Sequence, residues 1–351
     1  MVKVNLKNKF SFFNKSKFDS SNNSNSGLTE NFNSSATWFQ SMEPILYAEN
    51  HENKLYKIKN IKIAHKDTDI FKQLLFEKIK KKLDVYKQKI KKEFLKTSDG
   101  SLNVGLNVIL IDSLLEEILQ NTHQHFFGNI HFKLSIIAVG GYGRGELAPH
   151  SDLDLLFLIP NKLNKIEIKK IESLIQVILY LLWDLGYKVG HSTRTIIDCI
   201  KKSRLDLTIS TSLLEKRFIA GDEQNFYLLK SKFISFIENT KTLSFVEAKL
   251  KESDLRHKKF GGSRYVVEPN VKDGKGGLRD LHTLLWISKF AYKVDTISML
   301  INMGALSKNE VLAFSEAQRF LLSVRCHLHY RAGREDDRLA MDAQLEIAKS
   351  M

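Results

Sequence analysis

A chain of 351 residues, 43% hydrophobic and 27% charged, has ordinary globular usage and a length that suggests about two modules, which excludes a chain disordered throughout. The net charge of +14 fits polyanionic partners without choosing among them, and much of it is lysine in helical patterns such as Lys78 to Lys96, the pattern of a solvated face. Two distant cysteines, Cys199 and Cys326, exclude a disulfide framework and a zinc site and suit a reduced, cytoplasmic protein, and the longest apolar run, Val177 to Trp183, is far too short to span a bilayer.

Residues 1–35 are rich in Asn, Ser and Lys, including the run Ser20 to Ser26, and read as a mobile tail outside the fold. A helical lead-in, 36–110, follows, with apolar residues at three- and four-residue steps from Asp69 to Leu95 and again from Ser101 to Gln120. Leu134 to Val139 is a short apolar, β-branched run stopped by two glycines and reads as a buried strand. Leu153 to Ile159 is a second strand, stopped by Pro160-Asn161. Between Lys165 and Leu185 the residues Ile171, Leu174, Ile175, Ile178, Leu179 and Leu182 fall on one helical face, with Gly186 where a C-terminal cap belongs. Tyr187 to His191 then reads as a third strand.

After about Lys201 strand signals fade, and Phe226 to Lys251, Leu278 to Tyr292 and Ser307 to Arg331 read as helices. The fold class predicted is α+β: a small mixed-sheet domain over 111–202, followed by an all-helical domain over 203–351.

The chemistry concentrates between Gly140 and Asp154. Paired glycines directly after a buried strand let the backbone turn sharply and bring N–H groups close to a ligand, which suits phosphate oxygens. Asp152 and Asp154 stand two apart at the start of a strand, so both carboxylates share one face while Leu153 and Leu155 enter the core. Two aligned carboxylates suit a hard cation such as magnesium, which binds through one or two carboxylates plus substrate phosphates. No Gly-Lys-Ser or Gly-Lys-Thr follows the glycines, and Glu146 stands where a dinucleotide fingerprint needs its third glycine, so Walker and Rossmann sites are disfavoured.

The run Gly140 to Leu155 closely resembles the active-site motif of the DNA polymerase β-like nucleotidyltransferases, specifically that of the bifunctional uridylyltransferase/uridylyl-removing enzymes acting on the nitrogen regulatory protein PII. The resemblance continues through Val189 to Thr195, Asp206 to Thr208, Leu214 to Arg217, Gly221-Asp222, Glu268 to Lys272 and Gly276 to His282, and covers the chain from about Asp112 onward. It implies transfer of UMP from UTP to a tyrosine of PII with release of pyrophosphate. By position it implies that Asp152 and Asp154 bind Mg2+ and that Gly140, Gly141 and Ser151 hold the triphosphate. Arg144 would neutralise developing charge, Asp206 is the choice for a third carboxylate, and His191 would orient the nucleotide.

The glycine-rich loop Asp273 to Gly277 precedes a helix whose free N–H groups could hold an anion, with Gly276 and Gly277 in the loop and Lys272 and Arg279 assisting. Arg331, Arg334 and Arg338 are further cations able to touch phosphate or an acidic protein. In the family the HD phosphohydrolase and ACT sensor domains lie beyond the helical module and are not expected here; no histidine is followed by aspartate, so the phosphohydrolase dyad and uridylyl-removing activity are not expected either. The motif leaves the base unread: an adenylyltransferase of the glutamine synthetase type, an inactive PII- or nucleotide-binding module, and an RNA-directed enzyme supported only by the +14 charge remain alternatives. Membrane partners are not expected, and nucleic acid is disfavoured.

Overall fold

Leu153, Leu155 and Phe157 alternate with Asp154, Leu156 and Leu158 along one extended segment, so the two sets leave the backbone on opposite sides and each needs its own apolar cover. A computed structural model of the chain describes residues 43–49, 56–63, 65–128, 134–263 and 265–351, and the expected tail over 1–35 lies outside them. Ahead of the sheet come α1 (Pro44–Glu49), α2 (Thr68–Thr97) and α3 (Gly100–Phe127). Then follow β1 (Ser135–Ala138), the single turn α4 (Gly140–Gly143), β2 (Leu153–Ile159), α5 (Lys165–Asp184) and β3 (Val189–Thr195). The sheet closes with α6 (Ile196–Leu205), α7 (Leu207–Leu214) and β4 (Arg217–Gly221). Beyond it lie α8 (Glu223–Glu238), α9 (Thr242–Lys259), α10 (Leu278–Tyr292), α11 (Ile297–Asn302), α12 (Lys308–Ala332) and α13 (Met341–Ser350).

The sheet has the order β3-β2-β1-β4, with β1 antiparallel to both β2 and β4 and β2 parallel to β3, so the class is α+β with a small mixed sheet. The parallel pair needs a crossover, and α5 supplies it. A capping box between Asn164 and Glu167 starts α5, and Gly186, at φ +85°, stands just past its end. On one side of the sheet Leu153, Leu155 and Phe157 pack with Ile171, Leu174, Ile178 and Leu182 of α5 and with the apolar faces of α2 and α3. On the other, Leu156, Leu158 and Ile137 pack with Cys199 of α6, Leu213 of α7, Phe233 of α8, Phe245 of α9 and Phe290 of α10.

Two features depart from the sequence-based reading. β4 is a fourth strand after Lys201, and the helix expected over Phe226 to Lys251 is two helices, α8 and α9, separated at Asn239 to Lys241. The domain limits expected at 110/111 and 202/203 fall inside α3 and α6, and the described residues belong to one unit, Thr37–Met351.

The sheet and the helices beyond it are tied by a buried polar cluster. Arg144, directly after α4, pairs with Glu146 at 3.3 Å and with Glu215, which follows α7; all three side chains are 12% exposed or less. Glu146 also accepts from Gln318 of α12 at 2.7 Å and lies 2.7 Å from His282 of α10, while Glu215 accepts from the indole of Trp286. Burial alone would raise the Glu146 carboxyl, but His282 and Arg144 outweigh it and hold it well below the usual carboxylate range. Burial first, and Arg144 second, lower the His282 pKa.

Removing one partner from such a cluster strands charge in a dry interior. Arg144→Met is therefore expected to cost about 3–5 kcal/mol of unfolding free energy at about pH 8, read from urea midpoints. With Arg144 gone the pKa values of both Glu146 and His282 rise, so a proton can replace the lost cation. The deficit then shrinks as pH falls from about 8 toward about 5.5, and a pH-independent deficit would contradict the cluster.

Candidate active site

Asp154 lies in β2 and Asp152 just before it, and both open on one cleft of about 450 Å³ between the sheet and the helices beyond it. The Asp154 carboxylate sits between two glycines. A Cβ on Gly140 would stand 2.8 Å from Oδ2, and one on Gly190 would stand 2.6 Å from Oδ1. Gly140 is also at φ +60°, a conformation other residues adopt only under strain, so the turn after β1 depends on glycine twice over. Ser151 lines the same cleft, and among the described residues its buried Oγ has no hydrogen-bond partner. A buried hydroxyl left in this way calls for a ligand oxygen.

The cations of the cleft are engaged with carboxylates. Arg144 holds Glu146 and Glu215, Lys249 holds Glu252 at 2.8 Å, Arg256 holds Asp280, and Arg279 approaches Asp273 at 3.4 Å. Lys272 pairs with Glu335 at 2.9 Å, and Arg325 pairs with Asp337 at 2.7 Å. Among the described residues Asp152 and Asp154 have no cation within 4.0 Å, so they are the uncompensated charge of the cleft. The Asp154 pKa is raised, first by burial and then by Asp152, with Arg144 and Lys272 pulling the other way. A carboxylate pair held in this state gains from a cation placed between its oxygens, and two carboxylates are a hard donor set suited to a divalent ion. Trp286 forms part of the wall, with Lys249 Nζ 4.6 Å from its ring centroid and the Arg279 guanidinium 5.6 Å away.

Of the residues expected from sequence, Gly140, Gly141, Arg144, Ser151, Asp152, Asp154, Lys272 and Arg279 line this cleft. Arg144 borders it with its charge already balanced by Glu146 and Glu215, so here it acts as a clamp. Asp206 does not line the cleft: it is exposed and caps α7, accepting from the Thr208 amide at 2.7 Å. His191 is opposite Leu155 in the register while Gly190 is opposite Asp154, so His191 leaves on the far side of the sheet, its ring 6.3 Å from Trp183.

Gly276 and Gly277 are outside the cleft lining, and the amides they were expected to offer are used internally. Gly276 N–H donates to Asp280, Gly277 N–H to the Gly274 carbonyl, Leu278 N–H to Val271 and Arg279 N–H to Lys272. That loop is knitted to itself and offers no free anion cradle at those positions.

Sequence reasoning missed Thr208, Thr211, Glu215, Lys249, Glu252, Arg256, Trp286, Arg325 and Glu335, all in the cleft lining. Lys249, Glu252 and Arg256 stand at i, i+3 and i+7 on α9, a spacing that marks one helical face. That spacing was a usable signal, although a charged stripe by itself does not say which way it faces.

Comparison with known proteins fits both halves of this geometry. The model of the nucleotidyltransferase domain matches residues 115–219, and that of GlnD PII-uridylyltransferase matches residues 244–351. The bifunctional uridylyltransferase/uridylyl-removing enzyme of Rhodospirillum rubrum is 45% identical over 267 residues, 75% of this chain and 28% of the relative. That of Azospirillum brasilense is 41% identical over 294 residues, 82% of this chain and 31% of the relative, and that of Novosphingobium aromaticivorans is 46% identical over 246 residues, 68% and 26%. The chain thus spans less than a third of the length of these curated relatives, and over that span it is similar to them through a nucleotidyltransferase domain and a GlnD PII-uridylyltransferase region.

Proposed function

We propose that this chain transfers UMP from UTP to a tyrosine hydroxyl of the nitrogen regulatory protein PII, releasing pyrophosphate. The observation that carries the reading is the pair Asp152 and Asp154, without a cation partner in a cleft whose own cations are engaged. The printed names of the relatives and of the matched family model support UMP as the group and PII as the acceptor.

Asp152 and Asp154 would hold Mg2+, which when bound supplies Lewis-acid stabilisation of charge on the phosphate oxygens. The Gly140-Gly141 turn and the unpartnered Ser151 hydroxyl would receive the triphosphate. Lys272 and Arg279, oriented by Glu335 and Asp273, would stand beside it and favour the departing pyrophosphate. Glycine at 190 keeps β3 clear of the Asp154 carboxylate, so its oxygens stay free to take a cation. Cys199 and Cys326 are buried free thiols, their pKa values pushed by burial up to about 11 and about 12, which suits the reduced conditions of the cytoplasm.

Incubation with labelled UTP or labelled ATP, Mg2+, and PII or glutamine synthetase is expected to place label from UTP on PII. Label from ATP alone, or on glutamine synthetase alone, would defeat the assignment. Asp154→Asn is expected to lower kcat at least about a thousandfold with unchanged circular dichroism, because a carboxylate ligand is lost without a change of volume. A separate test uses Gly190→Ala, whose new methyl displaces the Asp154 carboxylate. It should lower kcat about ten- to a hundredfold while the melting temperature stays near the parental value. Parental turnover in that variant would show that the position of the Asp154 carboxylate is not critical.

A further inference from the structure

The catalytic cleft does not end at Asp152. A second cavity, of about 540 Å³, shares Ser151, Asp152 and Glu335 with it and continues away from the Gly140-Gly141 turn. Its walls bring cations from three separate places: Lys87 and Lys91 one turn apart on α2, Lys188 between α5 and β3, and Arg334 just after α12. None of these four has a carboxylate within 4.0 Å among the described residues, which is the reverse of the arrangement in the cleft. Lys87 lies over the Tyr187 ring at 4.2 Å and Lys91 over the Tyr330 ring at 5.4 Å, so both ammonium groups are held at the wall by aromatic faces.

We infer that this second cavity receives an acidic loop of the acceptor protein and leads its tyrosine hydroxyl to the reacting phosphorus beside Asp152. The inference rests on the transferase reading above. In an in-line displacement the attacking oxygen and the departing pyrophosphate lie on opposite sides of the phosphorus. With the triphosphate over the glycine turn, Lys272 and Arg279, the cavity that joins the cleft at Ser151 and Asp152 opens directly beside the carboxylate pair; the other adjoining cavity meets the cleft at Arg144, Glu146, Glu215 and Trp286, behind the buried ion cluster. Cations without a carboxylate partner among the described residues favour carboxylates on the incoming segment and would speed its encounter. A nucleotide requires no such second set, because its charge is met in the cleft.

The test reverses the charge at three positions away from the catalytic machinery, as Lys87→Glu, Lys91→Glu and Arg334→Glu together in the full chain. The KM for PII should rise about tenfold or more and lose most of its salt dependence, while kcat and the KM for UTP stay within about twofold. The conservative set Lys87→Arg, Lys91→Arg and Arg334→Lys should restore the parental KM, which a merely misfolded variant would not explain. An unchanged KM for PII overturns the inference. So does a rise confined to the KM for UTP, which would assign the cavity to nucleotide, or salt-sensitive binding of single-stranded RNA that the reversal abolishes while PII is unaffected. Titration of PII into the Asp154→Asn chain, with and without the reversed charges, separates this inference from the transferase reading. Binding lost on reversal supports docking even where no transfer is measured, and unchanged binding defeats docking even where transfer is robust.

Discussion

A glycine turn has no side chain with which to hold itself, so the position of Gly140 and Gly141 depends on what anchors the residues next to them. Tyr142, buried and donating to Asp112, is one anchor, and Arg144, buried between Glu146 and Glu215, is the other. Through those carboxylates it reaches His282 and Trp286 on α10 and Gln318 on α12. The cluster therefore ties the glycine turn to the helical wall of the cleft. A buried ion cluster is weak evidence for net stability, since apolar packing of the same volume can do as well. Its value here is positional: its contacts join the residues beside α4 and α7 to α10 and α12.

Given that arrangement, the two faces of β2 divide the work. The face carrying Leu153, Leu155 and Phe157 is closed by α5, α2 and α3, so the strand is held rigidly from behind. The face carrying Asp154, Leu156 and Leu158 points toward α6 to α10, and Asp154 stands where that apolar cover gives way to the cleft. A carboxylate held by a strand, with a glycine against each oxygen, has little room to rearrange when a ligand arrives. Such pre-organisation favours charge that develops in the transition state over charge already present in the ground state.

Much of this was legible in the sequence, for reasons that also explain what was not. The period of two between Asp152 and Asp154, the β-branched run before Gly140 and the apolar face of α5 are local signals, and local signals survive translation into structure. β4 was missed because Arg217–Gly221 is short and lies at a sheet edge, where only the pairing with β1 tells it from a loop. Asp206 and His191 were misplaced because motif position says nothing about side-chain direction. One is spent on a helix cap, and the other is turned away by the same alternation that brings Gly190 to Asp154. The anion site expected at Gly276 and Gly277 failed on hydrogen-bond accounting, since the Asp280 carboxylate takes the Gly276 amide and the Gly274 carbonyl takes that of Gly277, in a turn that the spacing of glycines does not specify.

Charge shows the same division between what is local and what is not. The lysine run from Lys78 to Lys96 reads as one solvated face, yet the helix rotates it past different neighbours. Lys78 and Lys82 donate to the carbonyls of Lys62 and Lys59, tying down the segment that precedes α2, and Lys80 pairs with Asp84. Lys87 and Lys91, two turns further on, meet Tyr187 and Tyr330 instead and line the cavity beside Asp152. The +14 total is thus a poor guide to partners, because charge that is paired or spent on carbonyls adds little field at a distance from its counter-charge. What selects a partner is where unpaired charge accumulates, and in this chain negative charge accumulates at Asp152 and Asp154 while positive charge accumulates one cavity away. A cation at the carboxylate pair and an acidic segment beside it would therefore draw on different groups, which is the arrangement that the proposed transfer from a nucleotide to a protein would use.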